Sequence, residues 1–179
     1  MTQRTPLPFL TGSLLVGVLL MAGLSAAVAA ESTRNIVVFN FEMMDSSAGA
    51  GIIPRDDRDK QYLAESTQVA KDYLAKAGSY RIVDAAAAAA EIAKAGELRS
   101  CYGCEAGIAS KLGGQLAMTG VVNRISRTEY EMLIKVVDAN TGAPVAVGYT
   151  GLRMGANYSW PRGTKWLMER GVLANLSGK

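Results

Sequence analysis

The sequence contains no histidine and only two cysteines. Without an imidazole there is no His-based serine or cysteine triad, no His-ligated zinc and no haem held through C-x-x-C-H. An excess of one charge is lacking too: a formal net charge of +3 over 179 residues gives no electrostatic footprint for nucleic acid. Gly113-Gly114 and Gly49-Ala50-Gly51 lack the spaced glycines and Lys-Ser/Thr of a phosphate loop. Acidic residues do not occur before Glu31, and the one charged side chain ahead of it is Arg4. What the chain has in quantity is apolar: 49% of it is hydrophobic.

Part of that apolar content is a leader. Arg4, the run from Phe9 to Leu24 and the small residues Ser25 to Ala30 have the layout of a secretory signal with an A-x-A-like cleavage site. The rival reading is an uncleaved anchor, because Leu10 to Ala30 approaches the ~20 residues that span roughly 30 Å of hydrocarbon. Thr11, Gly12, Ser13 and the alanine-rich end fit a signal better. No Cys follows the cleavage region to take a lipid, and there is no twin Arg. The expectation is a signal peptide over 1–30 and one periplasmic α/β domain over 31–179, with no stable membrane span after cleavage. That mature chain keeps 16 acidic residues and all but Arg4 of the 19 basic ones, so it is close to neutral.

The mature chain reads as alternating strands and helices. Asn35 to Glu42 is β-branched and aromatic, a buried central strand. Met43 to Lys60, with Pro54 and the mixed charges Arg55 to Lys60, reads as a mobile, solvated loop. From Gln61 to Ala77 apolar residues recur at helical spacing, and Gly78 supplies a left-handed cap. Tyr80 to Val83 is a short strand. Asp84 caps a helix from Ala85 to Ala95 that Gly96 ends, and Ser100 caps a third running to Leu112. Gln115 to Arg127, Glu129 to Asp138 and Ala143 to Arg153 are antiparallel strands, with a turn over 138–142. In the second, Tyr130, Met132, Ile134 and Val136 alternate with Glu131, Leu133, Lys135 and Val137; Glu129 and Glu131 share one face as surface charge. Ser159 caps a last helix with Pro161 in its first turn. The order β-α-β-α-α-β-β-β-α gives one mixed sheet of about five strands packed against helices.

The segments IVVFNFEMMDSS, GSYRIVDAA, CYGCE with KLGG, TGVVNRIS, KVVDANTGAPV and SWPRG with WL resemble a family of bacterial periplasmic proteins known as a domain of unknown function. The same motifs are distantly similar to the amino-terminal domain of the Tol-system propeller protein and to the periplasmic domain of the curli secretion channel. The resemblance implies a βα domain that works by contacting other envelope proteins, and it implies no reaction. Asn40 stands where such motifs commonly carry Asp, which argues against carboxylate chemistry there.

Two segments could carry chemistry. Cys101 and Cys104, the only cysteines, can pair only with each other within one molecule in an oxidising compartment. So short a loop gives about 2 kcal/mol of stabilisation in the chain-entropy account. A redox couple is the alternative, since a helix N-terminus stabilises a thiolate. Against it, Cys101 does not directly follow a strand and Glu105 opposes the thiolate. Two thiolates without further ligands make a poor zinc site. The second segment holds both tryptophans, Trp160 and Trp166, with Arg162 and Lys165: it either anchors a partner or stacks a planar small ligand, or the rings simply cover the sheet. Glu42 and Asp45 end the first strand, where α/β proteins usually bind ligands. The functional expectation is a non-enzymatic interaction module that binds another envelope protein and needs no metal or cofactor. The alternatives are redox exchange at Cys101 and Cys104 or small-ligand binding near Trp160.

Overall fold

The computed structural model describes residues 1–2, 33–153 and 160–177; the leader expected over 1–30 and the cap expected at Ser159 lie outside them. The first β-branched run forms β1 (Arg34–Val38), which does not continue smoothly to Glu42. It is interrupted, and a second strand, β2 (Glu42–Asp45), resumes along the same neighbour, β4 (Leu116–Arg124). Val38 pairs with Met118 and Glu42 with Val121, so four steps on the β1–β2 side face three on β4. One residue is extra, which makes this a β-bulge. The Phe39 N–H still donates to the Met118 carbonyl at 3.0 Å, and the Phe41 N–H is satisfied by Thr67 Oγ1 at 2.9 Å. Asn40, between them, is pushed out to solvent. The loop expected from Met43 therefore begins only after Asp45.

The charges Arg55 to Lys60, expected to be loop, instead start a helix. In α1 (Asp57–Ala77) Asp56 is the N-cap: its carboxylate accepts the Asp59 N–H at 2.8 Å, and Asp59 accepts the Asp56 N–H in return at 3.2 Å. Asp57 and Asp59 also complement the helix dipole. Gly78 ends α1 in the left-handed region, φ 75°. β3 (Tyr80–Val83) follows, and Asp84 accepts the Ala86 N–H at 3.0 Å, capping the alanine run as expected. That run is split: Ala85–Ala88 is a tight 3-10 turn and α2 (Ala89–Ala95) is the helix proper.

A 3-10 turn, Leu98–Ser100, precedes α3 (Cys104–Lys111). Ser100 does not cap α3; its hydroxyl donates to the Glu97 carbonyl at 3.3 Å. Tyr102 (φ 52°) and Gly103 (φ 105°) are both left-handed, so the chain cannot run helically from Ser100 into α3. β5 (Glu129–Asp138) and β6 (Pro144–Arg153) form a hairpin whose turn is fixed by Asp138, which accepts the Asn140 and Thr141 N–H groups at 2.9 Å. α4 (Trp160–Leu167) continues through a wider π turn, Met168–Val172, into α5 (Leu173–Leu176).

The fold is a single mixed α/β domain. Its strand order is β3-β1-β4-β5-β6, with β2 also on β4, which makes six strands rather than about five. β1 is parallel to β3 and β4, and β4, β5 and β6 are antiparallel. One face is fully covered: α1 and α4 to α5 bury Ile36, Val38, Met118, Met132, Ile134 and Val136 with Leu74, Trp160 and Met168. The other face is covered by α2 and α3 only over Val37, Phe39, Ala117 and Val137. Among the described residues no helix is long and apolar enough to cross a membrane.

Candidate functional site

The uncovered part of that second face is the candidate site. Period-two alternation sends Val121, Asn123, Glu131, Leu133, Lys135, Val147 and Tyr149 to the side opposite the main core. Cross-strand register places Val121 beside Leu133 beside Tyr149, and Thr119 beside Lys135 beside Val147. α3 reaches only the edge of these rows, where Glu105 holds Lys135, and leaves the apolar side chains beyond it open. Leu133 and Val147 are exposed, and Tyr149 is 57% exposed. Met44 of β2, also exposed, and the fully exposed Tyr102 complete a shallow depression of about 440 Å³, rimmed by Arg99 and Asn123. The Tyr149 hydroxyl donates to Glu131 Oε1 at 2.5 Å, and that carboxylate raises the phenol's pKa. The surface is apolar and aromatic, with Asn123, Glu131 and Lys135 hydrogen-bonded between and Arg99 Nε buried without a hydrogen-bond partner among the described residues.

The sequence-expected residues distribute around it. Cys101 and Cys104 form a disulfide, with Cα atoms 5.5 Å apart, in the turn that leads into α3. Beside it Glu105 is almost fully buried and accepts from Lys135 Nζ at 2.7 Å. The two sulfurs and the Glu105 carboxylate lie within 4.8 Å of one another, but bonded sulfurs are not thiolates and cannot ligate a metal as such. It is Cys104, not Cys101, that occupies the first position of α3, and Glu105 Oε2 is 3.7 Å from Cys101 Sγ. This buried pair went unnoticed in the sequence; the one signal was a Glu in the first turn of a helix whose next four residues, Ala106 to Ala109, carry no polar side chain.

Glu42 and Asp45 do not meet. Both Glu42 oxygens are occupied by backbone, accepting the Leu98 N–H at 2.7 Å and the Arg99 N–H at 3.0 Å, so this carboxylate pins the turn before the disulfide. Asp45 pairs with Arg124 at 2.5 Å and accepts the Ser47 N–H and hydroxyl at 3.0 and 2.7 Å. The Arg124 hydrogen bond, and after it those from Ser47, hold the Asp45 carboxyl well below the usual carboxylate range. A depressed folded pKa contributes stability that is present above the unfolded value of about 3.9 and lost as pH falls below it. Asp45→Asn is therefore expected to flatten the decline of the urea midpoint between about pH 5 and about pH 2. An acid limb as steep as that of the parent would contradict this role.

The two tryptophans are separated by their helix. Trp160 is 1% exposed, its ring between Tyr62 and Tyr130 with centroids at 5.8 and 5.5 Å, so it belongs to the core. Trp166 is 47% exposed on the outer side of α4, with Arg162 and Lys165 exposed near it. Lys165 approaches Glu169 at 4.0 Å, one turn on.

Comparison with known proteins completes the description. A family model described as "Protein of unknown function (DUF2380)" matches residues 34–172. No curated protein matches the chain. Among solved structures, the C-terminal domain of LpoB from Escherichia coli is similar at 14% identity and TM-score 0.48, over 72% of this chain and 88% of that one. Lipoprotein GNA1162 from Neisseria meningitidis is similar at 15% identity and TM-score 0.46, over 70% of this chain and 84% of that one. The PelC dodecamer from Paraburkholderia phytofirmans is similar at 14% identity and TM-score 0.42, over 82% of this chain and 89% of that one.

Proposed function

The chain belongs to the family described as a protein of unknown function (DUF2380), and we propose that it is a non-enzymatic interaction module of the bacterial cell envelope. In this reading the leader over 1–30 is cleaved, residues 31–179 act in the periplasm, and the open half of the sheet holds another envelope protein. The observation that carries it is the half-covered second face, where Leu133, Val147 and Tyr149 stand in register with nothing over them among the described residues. The charges around them are of both signs, Arg99, Lys135 and Glu131, so the matching partner surface is apolar and aromatic rather than strongly charged. The distant likeness to the Tol and curli domains belongs to this proposal and rests on the quoted motifs.

Replacing Leu133 and Tyr149 together by Asp tests it. The two sites are direct cross-strand partners, so paired like charges and the poor strand propensity of Asp are expected to lower the unfolding free energy by about 1–2 kcal/mol with the fold retained. Recovery of crosslinked partner from periplasm is expected to fall at least tenfold. Unchanged recovery would remove the sheet face from the account.

Redox exchange is the second reading, favoured by the full exposure of Tyr102 at the tip of the Cys101–Cys104 loop. The interaction reading expects Cys101→Ser with Cys104→Ser to keep partner recovery; the redox reading expects it to abolish function. Ligand binding near Trp160 is restricted by that ring's burial to Trp166, Arg162 and Lys165.

A further inference from the structure

The connections of β1 and β3, which are parallel neighbours, leave on opposite faces. α1, after β1 and β2, packs with Ile36 and Val38 on the first face; α2 and α3, after β3, pack with Val37 and Phe39 on the second. Where adjacent parallel strands diverge in this way, a crevice opens outside their carboxyl ends, and that is where open α/β sheets bind ligands. A cleft of about 420 Å³ lies there, lined by Val38 to Glu42 from the bulge, Asp84 to Ala86 after β3, Ile92 of α2 and Lys71 of α1. Bulges re-aim side chains beside functional sites, and here the extra residue, Asn40, is delivered to the mouth.

We infer that this cleft is a binding site for a small zwitterion with an aliphatic body, such as a free amino acid or a dipeptide. The walls are apolar: Phe39 forms a buried floor, and Ala85, Ala89, Ala93 and Ile92 form a side with no bulky group. Three polar groups remain at the rim. Lys71 has no ion pair or hydrogen bond among the described residues, and so is not paired with Asp84. Asp84 uses Oδ1 for the Ala86 N–H, which leaves Oδ2 for a ligand. Glu42 also lines the cleft, but both its oxygens are already committed to backbone N–H groups. The Lys71 ammonium, the Asp84 carboxylate and the Asn40 amide line one apolar cleft, and such a set matches a small molecule that itself carries both charges. The site is separate from the open sheet face, so either can fail without the other.

The test titrates the full-length chain, followed by backbone amide NMR, with L-leucine, with 4-methylpentanoate, which lacks the ammonium, and with 3-methylbutylamine, which lacks the carboxylate. L-leucine is expected to shift the amides of Asn40, Asp84 and Ala86 and to bind at least tenfold more tightly than either single-charge analogue. Lys71→Met is expected to erase that advantage over the amine. Asp84→Asn, which keeps a capping side chain at the turn, is expected to erase it over the acid. Ala93→Leu is expected to abolish all binding by filling the cleft. Equal weak binding of all three probes, or shifts that survive Ala93→Leu, would overturn the inference.

Discussion

Trp160→Ala is expected to cost about 3–5 kcal/mol of folding stability, the loss associated with emptying a large aromatic site in a close-packed core. The ring is wedged between Tyr62 of α1 and Tyr130 of β5 and so ties the C-terminal helix to both the first helix and the sheet. The same stretch holds Thr164, also buried, whose hydroxyl donates back to the Trp160 carbonyl at 3.2 Å. Trp160→Phe is expected to recover most of the loss, because the indole Nε1 is buried without a hydrogen-bond partner among the described residues and its removal relieves an unsatisfied donor. Trp166→Ala, at a half-exposed ring, is expected to stay within about 0.5 kcal/mol. Urea denaturation of the three variants measures this directly. A Trp166 cost equal to that of Trp160 would mean that the core has been drawn on the wrong side of α4.

Gly120→Ala is the second large effect, expected at about 1–3 kcal/mol. A Cβ at Gly120 would stand 2.5 Å from the Phe41 ring, far inside contact distance. The ring cannot slide away freely, since Phe41 is buried and its own N–H is held by Thr67. Gly120 is thus the partner that lets the bulge fold inward. Shrinking the ring by Phe41→Leu should recover part of the Gly120→Ala loss, a coupling above about 0.5 kcal/mol in a double-mutant cycle. Gly107→Ala serves as the contrast: it lies in α3 with open space around it, and it is expected to stabilise by up to about 1 kcal/mol. Additive losses at Gly120 and Phe41 would contradict the packing described for the bulge.

How far the sequence announced these features depends on the range of the physics involved. Strands β5 and β6 and the turn between them were legible because side-chain alternation and an Asp followed by a Thr-Gly turn are local signals. The caps at Gly78 and Asp84 were legible for the same reason. The start of α1 was misread because its capping box closes with Asp59 rather than the usual Glu or Gln, inside a run of charges that resembles a solvated loop. The bulge at Asn40 has no local mark; it exists because β4 offers one residue fewer than β1 and β2, and that is visible only in the pairing. Trp160 and Trp166 looked like one cluster, although six steps of about 100° already set them on different sides of a helix.

The open sheet face was the least legible. β6 carries apolar residues on both of its sides, Val147 and Tyr149 on one and Ala146, Gly148 and Leu152 on the other, with Val145 at the register shift also packing on the covered side. Which side is covered depends on where α3 starts, and it starts at Cys104, after the Cys101–Cys104 turn. The loop around Tyr102 and the strands that carry Leu133 and Tyr149 meet at one surface, yet they are far apart in the chain, and no window of sequence contains both.

The central claim, that this bare surface is where the chain meets another envelope protein, is tested most directly by photo-crosslinking in living cells. A benzophenone amino acid placed at Val147 or Tyr149 is expected to give one discrete adduct, lost when Leu133→Asp is added, while the same probe at exposed Asp72 on the outer side of α1 gives none. Equal adducts from Asp72 and Tyr149, or an adduct that persists with Leu133→Asp, would contradict it.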